Sequence, residues 1–478
     1  MNTFRSLLLV ASFAPVLAFG QTSLTIYNQD FAVVRDRVPL DLRAGDNVVS
    51  YANVTAQLEP DSVVLRDPAG KTPLQILNQN YRIDTLSQGY LLSLNEGKTL
   101  DFIIRDKDGK ESTVRGKIIR SGYSPRSGDY RSPIIEVGGV LRFSLPGEPV
   151  FPALGENSII SPTLTWWLAA DSPVKLDAEL SYITNGLSWQ ASYNLIAPEK
   201  GDMLDLIGWV VLGNASGKTF ANVSVKLMAG KVNRVSRGSR ERYGPMASMA
   251  MMPAPPSVSE RAFDEFHLYT LARPQTLHDG EVGQVEFIHA TGVKAQTIYV
   301  YEGFTADNWM NNDVRYSPEY GTQASNKVSV MREFKNTHEN NLGMPLPMGI
   351  MRFYRQNTAD GHLEFTGEDL IDHTPVGETV MVKAGDAFDL IAERKRTNFH
   401  VAEADKNMTE EFEIKLRNRK TESVEIRVIE HLYRWFNWQI TEKSDEYLKT
   451  DARTVEFRVT LKPDEEKVIT YKVFYDWH

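Results

Sequence analysis

Apolar and polar residues alternate along much of the chain, which is the period of a β-strand with one buried face. In residues 187–195 every second side chain is apolar, and the same alternation marks residues 223–227. Residues 204–212, which lie between them, are apolar at both parities, as is typical of a strand covered on both sides. We predict that these three strands form a meander.

Short strands separated by Gly, Pro and Asp turns are predicted on both sides of this meander. In the N-terminal part they include residues 90–94. In the C-terminal part, residues 379–474 contain seven alternating segments; in one of them Phe412, Ile414 and Leu416 face one way, and the charged residues between them face the other. Seven short strands over roughly a hundred residues predict an immunoglobulin-like β-sandwich.

The chain is therefore predicted to be all-β, mainly antiparallel and multi-domain. A soft boundary near Pro173 separates an N-terminal β domain, residues 21–172, from a central β region, residues 173–378. The C-terminal sandwich covers residues 379–478. Within the central region, residues 234–262 are rich in Pro, Met and Arg and lack periodicity, which predicts a mobile loop. This loop is either a basic docking segment or a tolerated surface insertion, and its composition favours the insertion.

The first 20 residues have the pattern of a secretory signal peptide. Arg5 precedes an apolar run at residues 6–17, and Ala18 and Gly20 are small residues at the positions that a signal peptidase recognises. Cleavage is expected after Gly20. No later apolar run is long enough to span a bilayer, so the mature protein is expected to be periplasmic or secreted, with no membrane span.

Composition narrows the possible activities. The formal net charge of -9 and the lack of a basic patch argue against nucleic-acid binding. The chain contains no cysteine, which excludes a thiol nucleophile and disulfides. Residues 216–219, Ser-Gly-Lys-Thr, resemble the end of a phosphate-binding loop, but Leu212 occupies the position of its opening glycine. We expect no cofactor.

The best candidate for chemistry is the acidic segment 367–378, which places one histidine among four carboxylates. Such a set can hold a divalent cation, or it can orient His373 and Asp372 as a general base in a hydrolase. Turn formation before Pro375 accounts for the same residues, and it is the favoured interpretation. The candidate metal ligands are Glu368, Asp369, Asp372, His373 and Glu378.

An aromatic run at residues 431–438 is the candidate binding surface. Tyr433, Trp435 and Trp438 are the side chains that could stack on a sugar or contact a protein partner. Large aromatic residues at strand ends more often close a hydrophobic core, so this structural role stays open beside the binding role.

Several segments together resemble the mucoidy-inhibitor-A-like family of exported bacterial proteins, catalogued as domain-of-unknown-function family 4139. They are residues 24–51, Tyr182 with residues 186–193, residues 208–209 and 214–220, residues 342–347, and residues 367–375. The resemblance covers nearly the whole mature chain and implies an exported, mostly β protein. It implies no established activity, substrate or catalytic residue. Members often carry a long coiled-coil insert, and no sustained heptads occur in this chain.

These observations predict an exported, envelope-associated binding or scaffold protein of unknown ligand, with an envelope protein or glycan as its partner. The alternative is a hydrolase or metal-dependent enzyme centred on Asp372 and His373. The two hypotheses differ in whether the carboxylates of the acidic segment converge on His373 in a concave site.

Overall fold

The computed structural model describes residues 22–83, 87–123, 132–153, 160–234, 258–263, 265–305, 314–404 and 406–478. Nearly all regular structure in these ranges is β, and most neighbouring strands are antiparallel, so the predicted all-β, mainly antiparallel class is confirmed. The predicted signal peptide, residues 1–20, lies outside the described residues. No helix of the described chain has the length and apolar character needed to cross a membrane.

The described residues of the N-terminal part contain twelve strands and one short helix. They are β1 Ser23–Tyr27, β2 Phe31–Leu42, β3 Gly45–Ala52, β4 Val64–Arg66, β5 Gln75–Arg82, α1 Gln88–Ser93, β6 Thr99–Arg105, β7 Glu111–Arg120, β8 Ile134–Val137, β9 Val140–Arg142, β10 Glu148–Val150, β11 Thr163–Ala170 and β12 Val174–Asn185. A 3₁₀ turn, Pro60–Ser62, precedes β4.

The rest of the chain contains eighteen further strands in the described ranges. They are β13 Leu187–Ala197, β14 Met203–Asn214, β15 Phe220–Ala229, β16 Val258–Phe263, β17 Phe266–Leu271, β18 Gln275–Leu277, β19 Glu281–Lys294, β20 Gln296–Glu302, β21 Lys327–Lys335, β22 Gly349–Gln356, β23 Leu363–Ile371, β24 Thr379–Ala402, β25 Asn407–Asn418, β26 Val424–His431, β27 Trp438–Lys443, β28 Tyr447–Lys449, β29 Thr454–Leu461 and β30 Glu466–Asp476. A second 3₁₀ turn, His338–Asn340, precedes β22.

The chain divides into two compact units. The first comprises Met1–Trp189, Leu212–Lys231 and Leu268–Gly283. The second comprises Gln190–Val211, Val232–His267 and Gln284–His478. Because the chain changes unit inside β13, β14, β17 and β19, the units are not consecutive segments of sequence.

Three sheets make up the first unit. One has the hydrogen-bonded order β17–β15–β1–β2–β12–β4, with β18 also paired to β15. The others have the orders β3–β11–β5 and β10–β6–β7–β8–β9. The predicted meander is wrong in its third strand, because β15 pairs in parallel with β1 while β13 and β14 belong to another sheet. The alternation of apolar and polar residues indicated each strand, but it does not show which strand pairs with it in the sheet.

The predicted strand at residues 90–94 is also wrong, because these residues belong to helix α1 and its C-cap. The helix is capped by Ser87, whose side chain accepts a hydrogen bond from the Tyr90 N–H at 3.2 Å. Leu92 is buried in a small core with Phe102. One turn of helix was too short to show a helical period in the sequence.

In the second unit, one sheet has the order β19–β14–β13–β22–β23. The predicted alternation of β13 is confirmed, because Ala191, Tyr193 and Leu195 are all buried. Strand β22 lies parallel to β13 and antiparallel to β23. Tyr193 donates a hydrogen bond from its hydroxyl to the carbonyl of Pro347 at 2.6 Å, which ties the chain before β22 to this sheet.

The other large sheet of the second unit has nine strands in the order β27–β30–β25–β24–β21–β20–β26–β29–β28. Its two terminal strands are consecutive in the chain: β27 ends at Lys443 and β28 begins at Tyr447. An extended residue spans at most about 3.6 Å, so the short segment between Lys443 and Tyr447 holds the two edges of the sheet near each other. The sheet is therefore curled back on itself.

One hydrophobic core fills the curled sheet. The Tyr471 ring of β30 lies 5.7 Å from Phe457 of β29, although five strands separate β30 from β29 in the sheet order. Strands β20 and β21 belong to this sheet although they precede residue 379. Residues 234–262 were predicted to form a mobile loop. The last five of them, residues 258–262, lie in strand β16, and residues 235–257 fall outside the described residues.

Candidate functional site

The carboxylates of the acidic segment have separate partners. Glu368, in β23, pairs with Arg352 of the neighbouring strand at 3.1 Å. Asp369 accepts hydrogen bonds from the Leu370 N–H at 2.9 Å and from the Lys383 N–H at 2.7 Å. These two side chains are therefore used to hold β23 against its neighbours.

The turn after β23 is organised by hydrogen bonds to the backbone. Thr374 donates from its hydroxyl to the Asp372 carbonyl at 2.9 Å. Asn336, which is fully buried, donates from its side-chain amide to the carbonyls of Thr374 at 3.3 Å and Pro375 at 3.0 Å. The N–H of Asn336 donates to the carbonyl of Glu378 at 2.9 Å. This agrees with the interpretation of the segment as a turn.

His373 takes part in the same turn. Its Nδ1 accepts a hydrogen bond from the Met348 N–H at 3.1 Å. Partial desolvation of the ring lowers the pKa of His373 below its ordinary value, while the nearby Asp372 acts in the opposite direction. Among the residues that the structure describes, no three His, Asp or Glu side chains converge as a metal site would require. The five candidate metal ligands are thus not brought together into a metal site, whereas His373 and Asp372, which are adjacent in the chain, do interact electrostatically.

The aromatic run 431–438 contains both buried and accessible side chains. Tyr433 is buried, and its ring lies 4.9 Å from that of Phe304 and 5.3 Å from that of Tyr320. Trp435 and Trp438 are half-buried. Of the three predicted binding residues, Tyr433 therefore belongs to the interior and the two tryptophans reach the surface.

Beneath this run lies an arginine–glutamate cluster, made of Arg394, Arg396, Arg434, Glu410 and Glu430. Arg434 pairs with Glu410 at 2.8 Å, and both side chains are fully buried. Arg394 pairs with Glu430 at 2.9 Å, with side-chain exposures of 1% and 2%. Arg396 also pairs with Glu410, at 3.2 Å. Charges are costly to bury unless they are paired, and here the pairing is direct.

Tyrosines line the same cluster and stay neutral. Tyr471 donates its hydroxyl hydrogen to Glu430. Burial raises the pKa of Tyr433 to about 12, and the charge of Glu410 adds to this effect. Burial alone would lower the pKa of Arg394, but the charge of Glu430, its hydrogen bond to Arg394 and the nearby Tyr471 and Tyr433 together outweigh this effect and raise the pKa. The arginines and glutamates therefore carry the charge of this site.

The arginines also fix residues 314–325, which precede β21. Arg434 donates from Nη1 to the carbonyls of Arg315 at 2.8 Å and Ser317 at 2.7 Å, and from Nη2 to the Tyr320 carbonyl at 2.9 Å. Arg394 donates from Nη1 to the Gly321 carbonyl at 2.8 Å. A guanidinium suits this task, because its planar fork satisfies several carbonyls at once.

Several of the described aromatic side chains at this end of the sheet reach solvent. We call five of them the aromatic surface: Tyr316, Trp435, Phe436, Trp438 and Trp477. The rings of Trp435 and Phe436 are 4.2 Å apart, and those of Tyr316 and Trp477 are 5.4 Å apart. Backbone hydrogen bonds join the three segments that carry these rings, from Arg315 N to Arg434 O and from Asp476 N to Asn437 O. Phe436 is 58% exposed.

Trp438 is held at one edge of this surface. Its indole N–H donates to the Ala452 carbonyl at 2.8 Å, and Lys449 Nζ lies 4.6 Å from the ring centroid. The Trp438 ring is thus oriented by its hydrogen bond, and Trp435, Trp438 and Trp477 pack against the hydrophobic core of the sheet. An oriented aromatic surface loses little side-chain entropy when a partner binds.

Comparison with known proteins identifies a family. Residues 178–477 match the model of the family described as Domain of unknown function (DUF4139). The chain belongs to this family. No curated protein and no solved structure matches the chain. The DUF4139 domain includes the whole arginine–glutamate cluster and the aromatic surface.

The buried charges of the DUF4139 domain were missed in the sequence, although a signal for them exists. Glu410 has the same strand parity as Phe412, Ile414 and Leu416, which are buried. In β26, Glu430 likewise lies on the same face of the strand as the buried residues. An acidic residue at a core parity requires a partner, so parity alone could have indicated both glutamates.

Another buried charge pair lies in the first unit. Lys218, in the segment that resembles a phosphate-binding loop, lies 3.7 Å from Asp36, and both side chains are largely buried. Tyr51 donates its hydroxyl hydrogen to Asp36 at 2.7 Å. Burial lowers the pKa of Lys218, and Asp36 acts against this shift. Lys218 therefore points to an aspartate of its own chain rather than to a phosphate site.

Proposed function

We propose that this chain is an exported, envelope-associated binding protein, and that its aromatic surface contacts a protein partner. In this proposal it is a mucoidy-inhibitor-A-like member of its family, and the seven strands β24 to β30, which lie in residues 379–478, form the immunoglobulin-like sandwich expected from the sequence, extended by β20 and β21. Export rests on the signal-peptide pattern of residues 1–20.

The observation that carries the proposal is the accessible group of five aromatic rings on a rigid support. Aromatic side chains dominate the residues that contribute most to protein interfaces, because they bury a large area with few rotatable bonds. Charged groups lie beside the rings, including Lys449 over Trp438 and Asp476 next to Trp477. An apolar centre with charged neighbours is the usual arrangement of a protein-binding patch.

Photo-crosslinking in the native envelope tests this function. A photoreactive phenylalanine analogue replaces Phe436 in one variant and Phe388 in a control. Phe388 is 95% exposed and precedes Leu390, which pairs with Asn418 at the end of β25 remote from the aromatic surface. The ten residue-to-residue steps from Met408 to Asn418 extend about 33 Å. The control therefore reports on exposed phenylalanine at a different place in the same unit.

The expected result is a discrete protein adduct from the Phe436 position that is absent from the Phe388 position. Capture at Phe388 alone would move the binding site elsewhere. An adduct removed by glycan-cleaving enzymes would identify a glycan and contradict the protein partner. No adduct at either position would contradict binding through this surface.

A further inference from the structure

A cleft of about 280 Å³ lies between the two sheets of the second unit. Apolar side chains from the five-stranded sheet form one wall, including Leu195, Leu204 and Phe353. Strands β21 and β24 of the nine-stranded sheet contribute Val330, Arg332 and the residues around Gly385. The cleft has the mixed apolar and polar lining of a small-molecule site, at the small end of the usual size range.

Two β-bulges open this cleft. Val330 pairs with Gly385 and Met331 with Lys383, so Ala384 is an extra residue in β24. Phe353 pairs with Gly367 and Tyr354 with Phe365, so Thr366 is an extra residue in β23. Both extra residues line the cleft. Bulges redirect side chains and are frequent next to functional sites.

Gly367 allows the two bulged strands to approach each other. A Cβ atom at this position would lie 2.1 Å from the carbonyl oxygen of Ala384, so a larger residue would force β23 and β24 apart. The segment that resembled a metal site in the sequence therefore begins with a glycine that packs directly against the bulge at Ala384, next to the lining residue Thr366. Its role here is steric.

Arg332 supplies a buried positive charge to the lining, with only 4% of its surface exposed. Its Nη1 donates to the Ala295 carbonyl at 3.3 Å and lies 3.6 Å from the Asp202 carboxylate. Within the described residues, these contacts involve Nη1 alone. The Nε–Nη2 edge of the guanidinium, which binds carboxylates in a bidentate manner, is not used by them.

The neighbouring charges leave the lining positive. Asp386 is matched by Lys383 at 2.8 Å and Lys327 at 3.2 Å. Asp202 is half-exposed, so water screens its attraction to Arg332. Arg355, a second cation of the lining, donates to the carbonyls of Pro198 and Glu199. An anion in the cleft would thus meet two guanidinium groups whose charges are not fully compensated.

We propose that this bulge-lined cleft binds a small aliphatic carboxylate. The carboxylate pairs with the Nε–Nη2 edge of Arg332, and the aliphatic chain lies against Leu195, Leu204 and Phe353. The volume limits the ligand to a short chain. This site is separate from the aromatic surface, so it neither requires nor replaces a partner at that surface.

Isothermal titration calorimetry of the full mature chain tests the proposal. The probes are acetate, butyrate and hexanoate, with butyramide as a neutral analogue of butyrate and inorganic phosphate as an anion without an aliphatic chain. We expect butyrate or hexanoate to bind more tightly than acetate, because the added methylenes bury apolar surface. Butyramide should bind at least about tenfold more weakly than butyrate, since it lacks the charge.

Two variants place the ligand in the cleft. Arg332→Lys keeps the charge but loses the planar fork, and should weaken binding at least about tenfold. Ala384→Leu fills the cleft from the bulge without removing a charged group, and should abolish binding even if the arginine variant does not fold. Arg419→Lys, in the turn directly after β25, is the control and should bind as the unmodified chain does. Melting curves of all three variants report folding.

Three results would overturn the inference. One is the absence of binding by any carboxylate at its highest soluble concentration. Another is equal binding of butyrate, butyramide and phosphate, which would show no selection for a carboxylate with a chain. The third is unchanged affinity in Ala384→Leu, which would place the ligand outside the cleft.

Discussion

The acidic segment 367–378 and the arginine–glutamate cluster both concentrate charge within the second unit, but they use it differently. In the acidic segment, Glu368 pairs with Arg352 at side-chain exposures of 52% and 25%. In the cluster, Arg394 and Glu430 pair at exposures of 1% and 2%. Charged residues are close together in the sequence only in the acidic segment. An unpaired charge would be costly only in the arginine–glutamate cluster, because only there are the charges buried.

This comparison shows why the visible pattern was a poor guide to the site. Side chains that are adjacent in sequence can each satisfy a different neighbour, as the carboxylates of Glu368 and Asp369 do. Side chains that are distant in sequence, such as Glu410 and Arg434, can meet in the interior. Burial fixes these distant pairs, because a charge without its partner would be left in a medium of low dielectric constant.

The largest expected effect comes from breaking one buried pair. Arg394→Met leaves Glu430 buried without its cation, and we expect a loss of about 3–5 kcal/mol in the free energy of unfolding. Arg352→Met, which breaks the exposed pair with Glu368, should cost about 1 kcal/mol or less. Denaturant unfolding of both variants, followed by the fluorescence of the tryptophans, provides the measurement.

The double replacement Arg394→Met with Glu430→Leu sharpens the same test. Removing both charges should recover much of the loss, because the cost arises from the unpaired carboxylate and not from the missing contact. Equal destabilisation by the buried and exposed single variants would contradict the distinction between the two regions.

A smaller effect is expected from crowding the segment that the arginines hold. Gly321 has φ +75°, and a Cβ atom there would lie 2.1 Å from the Tyr433 hydroxyl oxygen. Gly361 also has φ +75°, but a Cβ atom there would meet nothing within 4 Å. Gly321→Ala should therefore destabilise the fold by about 1–3 kcal/mol more than Gly361→Ala does. Since backbone strain is the same in both, the difference in unfolding free energy measures the steric contact.

Similar losses in the two alanine variants would indicate that residues 314–325 move away from Tyr433 at little cost. In that case the chain before β21 would not be a rigid support for the aromatic surface. The two alanine variants, Gly321→Ala and Gly361→Ala, would then be expected to reduce the crosslinking yield from Phe436 to the same extent.

Much of the secondary structure could be predicted from alternation alone. Among the seven segments predicted within residues 379–474, the two at residues 424–431 and 454–461 coincide with β26 and β29. Alternation succeeds for these strands because one face packs into the core and the other meets solvent. Strand pairing could not be predicted from alternation, because it depends on the whole sheet. The pairing of β20 and β21 with the C-terminal strands is an example.

The candidate surface was predicted only in part. The aromatic run was visible at residues 431–438, and the half-buried Trp435 and Trp438 belong to the aromatic surface. Tyr316 and Trp477 were not predicted, because they reach this surface through contacts with chain segments remote in sequence. The cleft beside Arg332 was invisible for a related reason, since it arises from two bulges in different strand pairs.

A modest pH dependence is expected from the turn of the acidic segment. The pKa of His373 is lowered in the folded protein, so the unfolded chain binds a proton at this position more readily. Its contribution to stability is complete above the ordinary histidine value of about 6.5 and is lost as the pH falls towards the lower folded pKa. An NMR titration should place the His373 pKa below that of an unfolded peptide, and a folded value at or above it would contradict the partial burial of the ring.

The same titration in Asp372→Asn separates the effect of the Asp372 charge from the effects that lower the pKa of His373. The carboxylate of Asp372 raises the His373 pKa against the effect of desolvation. Removing its charge should lower the His373 pKa further, whereas Glu378→Gln, which keeps the backbone contact of Glu378 with Asn336, serves as the control.

The smallest effect is expected from divalent cations. The acidic segment gives Glu368 and Asp369 to separate partners, so no shared set of ligands binds a cation in the folded state only. Zinc, calcium and magnesium should therefore change the melting temperature of the unmodified chain no more than that of Asp372→Asn. A stabilisation that the unmodified chain shows and Asp372→Asn loses would restore the metal hypothesis for this segment. It would also show that the turn rearranges to bring His373 and its carboxylates together, because the described arrangement does not do so.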